Sequence, residues 1–258
     1  MNQSKQQAGE GRVLVIKRIH EEGHGIRAFD MTTEDAPSDV TGEARDAPGE
    51  GALARAGAHG VAFAPGQVAV LKVSDERPSY FALASAPEDD ELEFLIKHSA
   101  SGPGRLVYEM RAGDRVELRQ IVGRGFDLGA LRGRDLVFVA MGTGVAPLRS
   151  ALRTALRHAP EYGRMFVLYG ARTPDDFCYR DEIEEWKSAG VEMRQVVSRP
   201  DGFEWSGPTG YVQSLLDHVL PELSNPAALV CGSREMIEQT RERLARMGFA
   251  PEDILTNY

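Results

Sequence analysis

Leu136-Val137-Phe138-Val139-Ala140-Met141 is an unbroken apolar run, and Gly142-Thr143-Gly144-Val145-Ala146-Pro147 follows it directly. A strand with no polar alternation is expected where both faces are buried, as in a parallel strand covered by helices. Beyond the glycines, Leu148, Ala151, Leu152, Ala155 and Leu156 recur on one helical face. Strand, tight turn and amphipathic helix in that order restrict this part of the chain to an open α/β sheet with right-handed crossovers. Met165 to Tyr169 and Ala227 to Cys231 repeat the buried-strand pattern, and Met236, Ile237, Thr240, Leu244 and Met247 repeat the helical one. Val191 to Arg194 alternates instead, which puts that strand nearer an edge of the sheet.

The first half obeys a different grammar. Val13 to Ile16, Gly66 to Val73, Tyr80 to Ala86, Leu92 to Lys97 and Arg115 to Val122 are short β-prone runs bounded by turn residues, with one short helix around Gly104 to Met110. Many short strands with little helix suggest an antiparallel barrel or sandwich. The expected organisation is a disordered start over 1–11, an all-β half over 12–130 and a parallel α/β half over 131–258, the grammar changing near Gly129 to Arg134. Thr33 to Gly60 is nearly free of bulky apolar residues and reads as an exposed, mobile insertion between strands.

Charge and cysteine content remove several classes. Thirty Lys and Arg against 39 Asp and Glu give a net charge of -9, which speaks against nucleic acid as a partner. Cys178 and Cys231 cannot build a disulfide framework or a four-thiolate cluster. No apolar stretch reaches the length of a membrane span, and Met1 to Arg12 lacks an apolar signal core, so a soluble, cytoplasmic protein is expected. His20-Glu21-Glu22-Gly23-His24 matches HExxH, but that motif binds zinc on a helix, and here Gly23 and Gly25 follow a β-type run. A turn between two strands is the expected structure, and no metal is expected.

Chemistry concentrates at Gly142 to Pro147. Glycines permit a tight turn and close backbone approach, and the helix start offers free N–H groups to a pyrophosphate. Pro147 suits the first turn, where no N–H is missed. The segment is neither GxGxxG nor a P-loop. A purely structural turn is the competing reading.

The order of motifs resembles the ferredoxin–NADP reductase superfamily from about Val13 to Tyr258. The likeness is carried by PGQ (Pro65 to Gln67), FALASAP (Phe81 to Pro87), ASGPGRL (Ala100 to Leu106), AGDRVEL (Ala112 to Leu118) and GTGVAP (Gly142 to Pro147). It continues through LYGAR (Leu168 to Arg172), CYRDEIEEW (Cys178 to Trp186), WSGPTGYV (Trp205 to Val212) and CGSREM (Cys231 to Met236). Gly123 to Phe126 is most similar to electron-transfer subunits of the dihydroorotate dehydrogenase type. The resemblance implies an antiparallel six-stranded β-barrel over 12–130 that holds FAD, followed by a parallel α/β domain over 131–258 that holds a nicotinamide nucleotide, NAD(P)H. It assigns Gly142, Thr143, Gly144 and Pro147 to the nicotinamide nucleotide, puts Gly170 and Arg172 nearby, and sets Cys231 and Gly232 beside the nicotinamide. Cys231 reads equally as a catalytic group and as a core residue. On the flavin side it points to Tyr80, Phe81, Ala82, Leu83, Ala84 and Ser85, with Lys97, Gly102, Gly104, Arg105 and Leu106. Tyr258 resembles the aromatic that covers the flavin in some members; a frayed terminus is the alternative.

Two departures stand out. Where the family carries Arg-x-Tyr-Ser, this chain has Ser79, Tyr80, Phe81 and Ala82, so the arginine and both hydroxyls are missing. Phe81 is then expected to cover a ring face. The lost charge-assisted bond is worth roughly 1.5–3 kcal/mol. Arg105 either replaces that arginine at the FAD pyrophosphate or is a solvated helix residue. The cysteine-rich iron–sulfur segment of the similar subunits is also absent, so a one-electron carrier must be a separate molecule. Ser198-Arg199, after the strand at Val191 to Val197, reads as a 2′-phosphate site or as a plain strand exit.

The resulting expectation is an FAD-dependent NAD(P)H oxidoreductase that passes electrons to a separate, unidentified acceptor. Two alternatives stay open: an electron-transfer subunit of a larger complex, and a nucleotide-binding module that has lost FAD.

Overall fold

The computed structural model describes residues 11–35, 57–73, 77–219 and 223–257. The expected insertion at 33–60 and the expected disordered start lie largely outside these residues, as does Tyr258.

The first unit is an antiparallel sheet of β1 (Arg12–Gly23), β2 (Ile26–Thr33), β3 (Val68–Lys72), β4 (Ser79–Ala82), β5 (Leu92–Lys97) and β6 (Arg115–Val122), with helix α1 (Pro103–Glu109) between the last two. The strand order is β4-β3-β6-β1-β2-β5. Its two edges meet where Leu83 bridges Phe94 and the Ala84 N–H donates to the Glu93 carbonyl at 2.8 Å, closing the sheet at that point. Alternation does the rest: Leu14 and Ile16 of β1 face Phe29 and Met31 of β2 and Phe94 of β5 in one core, all at most 1% exposed.

The HExxH look-alike falls on a hairpin. His20 to Gly23 end β1, the turn is His24-Gly25, and Gly25 takes the left-handed φ of 64° that the turn requires. His20 and His24 therefore do not share a helical face. Among the described residues no group of three metal-ligating side chains converges.

The second unit is parallel throughout: β7 (Asp135–Met141), α2 (Val145–Arg157), β8 (Met165–Ala171), α3 (Arg180–Ser188), β9 (Glu192–Val197), α4 (Leu216–Val219), β10 (Pro226–Cys231), α5 (Arg234–Arg246) and β11 (Ile254–Thr256). The order β11-β10-β7-β8-β9 puts the alternating strand β9 at the edge, as expected. Strand β7 is central, with Leu136, Phe138 and Ala140 packed on one face and Val137 and Val139 on the other, all 0% exposed. Chain progress reverses direction between β7 and β10. A crevice opens at the carboxyl ends of two such strands, so topology alone nominates Met141-Gly142 and Cys231-Gly232 as the walls of a ligand site. No helix among the described residues is long and apolar enough to cross a membrane.

Candidate functional site

At that crevice the chain makes a one-turn helix over Gly142–Gly144 before α2 begins. Gly142 has φ 55°, and a side chain there would enter open space. Gly144 is glycine for the opposite reason, since a Cβ would lie 2.6 Å from the Cys231 carbonyl oxygen. The Tyr169 hydroxyl donates to the Gly142 carbonyl at 3.2 Å and accepts the Cys178 N–H at 3.2 Å. Tyr169 is fully buried and burial raises its pKa well above the usual tyrosine value, so it stays protonated and keeps donating.

A cavity of about 450 Å³ opens over this turn. Gly142, Thr143, Gly170, Arg172, Ser198 and Arg199 all line it, together with Tyr211 and Gln213. Lys97 and Ile26 reach it from the first unit, so the cavity is walled by both. The loops carrying the two arginines are joined by the Arg199 N–H donating to the Arg172 carbonyl at 2.8 Å. Neither guanidinium has a carboxylate partner among the described residues. Tyr211, 68% exposed, adds an uncovered aromatic ring to the same wall; nothing in its sequence context beyond the motif WSGPTGYV signalled it. Pro147 is buried in the first turn of α2, and Gly232 packs against Met141.

Cys231 ends β10 against the turn. Burial pushes its thiol up to about 12, so it is uncharged near neutral pH. Its carbonyl fixes how closely the glycine turn can approach. The geometry therefore gives Cys231 a packing position beside the glycine turn, with its sulfur in the thiol form.

On the other wall, register sets the direction of Phe81. Strand β4 pairs with β3 so that Phe81 lies opposite Ala69 and Tyr80 opposite Val70. Cross-strand partners share a face, and Ala69 is 0% exposed in the barrel core, so Phe81 packs inward beside it. Tyr80 faces out at 70% exposed, with Ala82 on the same face. The outward aromatic is Tyr80, and Phe81 is partly buried against the barrel core. Leu83 and Ala84 are fully buried, and the Ser85 hydroxyl accepts the Glu93 N–H at 3.0 Å. These three positions close the barrel and present no free side chain to a ligand.

Gly102, with φ 81° and open space above it, precedes α1, and Gly104 and Leu106 lie in the first turns of that helix. Arg105 donates to Glu109 at 2.8 Å, an exposed pair one turn along α1. That pair is the solvated-helix arrangement, and it engages the Nε of Arg105. Near the C-terminus Asn257 is buried, donates to the Gly66 carbonyl at 3.3 Å and leaves its Oδ1 without a partner.

The two units are joined along α2. Arg149, Arg153 and Arg157, four residues apart, line one side of that helix. Arg153 reaches Asp89 at 3.1 Å and Arg157 pairs with Asp89 and Glu88. Arg149 is buried: its Nη1 donates to the Ala84 carbonyl at 2.9 Å and is ion-paired with Glu93 at the same distance, while Nε and Nη2 hold Glu182 of α3. Its guanidinium also stacks 4.4 Å above the Tyr179 ring. A second contact lies beside it, where Glu22 of β1 accepts the Tyr179 N–H at 2.6 Å.

An antiparallel six-stranded sheet whose edges meet at the Leu83–Phe94 bridge is thus joined to a parallel sheet, with a glycine turn at the switch point and a cavity walled by both units. Residues 138–242 match the model of the oxidoreductase NAD-binding domain family. The chain is 33% identical over 174 residues to ferredoxin–NADP reductase B of Sorangium cellulosum, covering 64% of this chain and 70% of that one. It is 30% identical over 207 residues to fruit protein pKIWI502 of Actinidia deliciosa, covering 74% of this chain. It spans just under two thirds of that relative's length, 65%. Among solved structures, a ferredoxin–NADP reductase from Neisseria gonorrhoeae with bound FAD and NADP shares the fold at a TM-score of 0.72 and 19% identity, covering 96% of each chain. The chain belongs to the ferredoxin–NADP reductase superfamily of FAD- and NAD(P)-binding oxidoreductases.

Proposed function

We propose that the chain is an FAD-dependent NAD(P)H oxidoreductase whose electrons leave to a separate acceptor. One observation carries this reading: the cavity over Gly142 is walled by the nicotinamide-type turn and by Lys97 and Ile26 of the barrel unit. A ligand seated there touches both units at once. FAD, when bound, supplies the hydride-accepting chemistry. Three features of this chain fit it: the outward ring of Tyr80, the open backbone at Gly102, and the unpartnered buried Oδ1 of Asn257. An orphaned buried acceptor costs about 1–3 kcal/mol unless something donates to it, which favours a ligand at that end of the barrel.

The protein's own task is positional. Backbone N–H groups at Gly142 to Gly144 meet a pyrophosphate at the start of α2, and Tyr169 holds the turn from behind. Ser198, Arg172 and Arg199 meet a 2′-phosphate, and two uncommitted guanidiniums at one mouth favour NADPH over NADH. No ionised side chain is required for hydride transfer, which accords with the protonated state of Cys231.

The test is the visible spectrum of the purified protein, followed by anaerobic addition of NADPH and NADH separately. A flavin band that bleaches, faster with NADPH, is the expected result. A flavin band that neither bleaches would sink the nicotinamide site. A colourless protein that refuses added FAD would return the lead to a flavin-free nucleotide-binding module. The 29% identity over 196 residues to the gamma subunit of sulfhydrogenase 1 of Pyrococcus furiosus favours a second reading, work within a larger complex. Co-purification of a partner checks it.

A further inference from the structure

Arg149 sits where three parts of the molecule converge. It rides on α2, five residues beyond Gly144 and so about 7.5 Å along the helix from the nicotinamide-type turn. Its Nη1 donates to the carbonyl of Ala84, two residues beyond strand β4 that carries Tyr80. The same nitrogen meets Glu93, whose backbone closes the barrel against Ala84 and Ser85. Its other edge grips Glu182 through Nε and Nη2, and Tyr179 covers its face. With 6% of its side chain exposed, the guanidinium is held from every side.

We propose that Arg149 is a positioning residue: it sets the spacing between the nicotinamide-binding turn and the flavin-bearing edge of the barrel. This rests on the functional reading above. Hydride transfer requires reacting atoms about 3–3.5 Å apart, and a misplacement of about 1 Å costs on the order of 10²-fold in rate. Two separately folded sheets meet that tolerance only if something rigid connects them near the reacting atoms. A planar guanidinium with both edges engaged is such a connector. A lysine ammonium is a point donor that cannot hold Ala84, Glu93 and Glu182 in one plane. The outer rungs, Arg153 and Arg157, hold side-chain carboxylates of the 84–93 segment and are more exposed. Of the three arginines, Arg149 is the one that, among the described residues, bonds the backbone next to β4.

The experiment compares the wild-type chain with Arg149→Lys in two measurements. The first is hydrogen–deuterium exchange of the ligand-free protein. Amides in 84–93 and 145–150 are expected to exchange about fivefold faster or more in the variant, with the rest unchanged. The second is anaerobic stopped-flow reduction of the FAD-loaded protein by NADPH. The limiting reduction rate is expected to fall about tenfold or more, while the half-saturating NADPH concentration stays within about threefold and FAD stoichiometry is kept. A purely structural role predicts loss of FAD or of NADPH affinity with no selective loss of rate, and that result overturns the proposal. Unchanged exchange, or faster exchange with a wild-type rate, also overturns it. Should Arg149→Lys fail to fold, Glu93→Gln removes one partner of Nη1 and is expected to move both readouts in the same direction by less. If it moves neither, the proposal is overturned. Wild-type flavin that no nicotinamide reduces sinks the functional reading itself, and the positioning role with it; exchange then reports a domain clamp alone.

Discussion

The Tyr169 hydroxyl and the Gly142 carbonyl are 3.2 Å apart, a hydrogen bond that reaches from the middle of the sheet to the back of the glycine turn. The same hydroxyl accepts the Cys178 N–H, so one buried atom serves both turn and loop.

Tyr169→Phe leaves a carbonyl and an N–H without their partner. Removing a partner of a buried polar group costs about 1–3 kcal/mol. Urea unfolding is expected to show a loss in that range, and NADPH titration a several-fold weaker dissociation constant. A variant with wild-type affinity would mean that the turn is held by its own backbone geometry.

Tyr80 and Phe81 are adjacent, yet their substitutions should do opposite things. Phe81→Ala opens a cavity in the barrel core and is expected to cost about 3 kcal/mol in stability. Tyr80→Ala removes an exposed ring and is expected to change stability by no more than about 0.5 kcal/mol, while FAD binds more weakly. Paired measurements of unfolding and FAD affinity separate the two; Phe81→Ala weakening FAD without touching stability would reverse the assignment.

Coenzyme preference follows from the uncommitted guanidiniums. Charge-assisted hydrogen bonds contribute about 1.5–3 kcal/mol, so Arg199→Ala is expected to weaken NADPH by roughly ten- to 150-fold and leave NADH nearly unchanged. Steady-state kinetics with each coenzyme read this directly. Equal losses with both would place Arg199 at a phosphate common to the two.

Stability should fall in mild acid through His59. This ring is fully buried, its Nδ1 accepts the Val61 N–H at 3.0 Å, and burial lowers its pKa from 6.5 to about 4. Because the unfolded chain takes up the proton first, the stabilisation is fully present above pH 6.5 and is lost as pH falls toward 4. The slope is about 1.4 kcal/mol per pH unit. His59→Gln is expected to flatten the unfolding free energy over that window, and an unchanged slope would assign the loss to carboxylates.

Much of the architecture was legible from periodicity. The apolar run Leu136 to Met141 became the central strand because continuous hydrophobicity needs two covered faces, and the alternation at Val191 to Arg194 became an edge. The glycine turn was legible because its constraint is local: strand, φ-permissive residues and helix are contiguous. The arginines of α2 were not. Nothing local to positions 149, 153 and 157 marks their contacts with the first unit, which lie far along the chain, 65 residues away for Arg149 and Ala84.

By itself, then, the sequence determined the two kinds of sheet, their order along the chain and the place of the glycine turn, all properties set by neighbours a few residues apart. Tertiary structure decided which aromatic of the pair Tyr80 and Phe81 faces out, because strand register is set by pairing with β3. It also decided that Tyr169 braces Gly142 and that Arg149 joins the two units. Those relations depend on distance in space between residues far apart in the chain, and no local pattern encodes them.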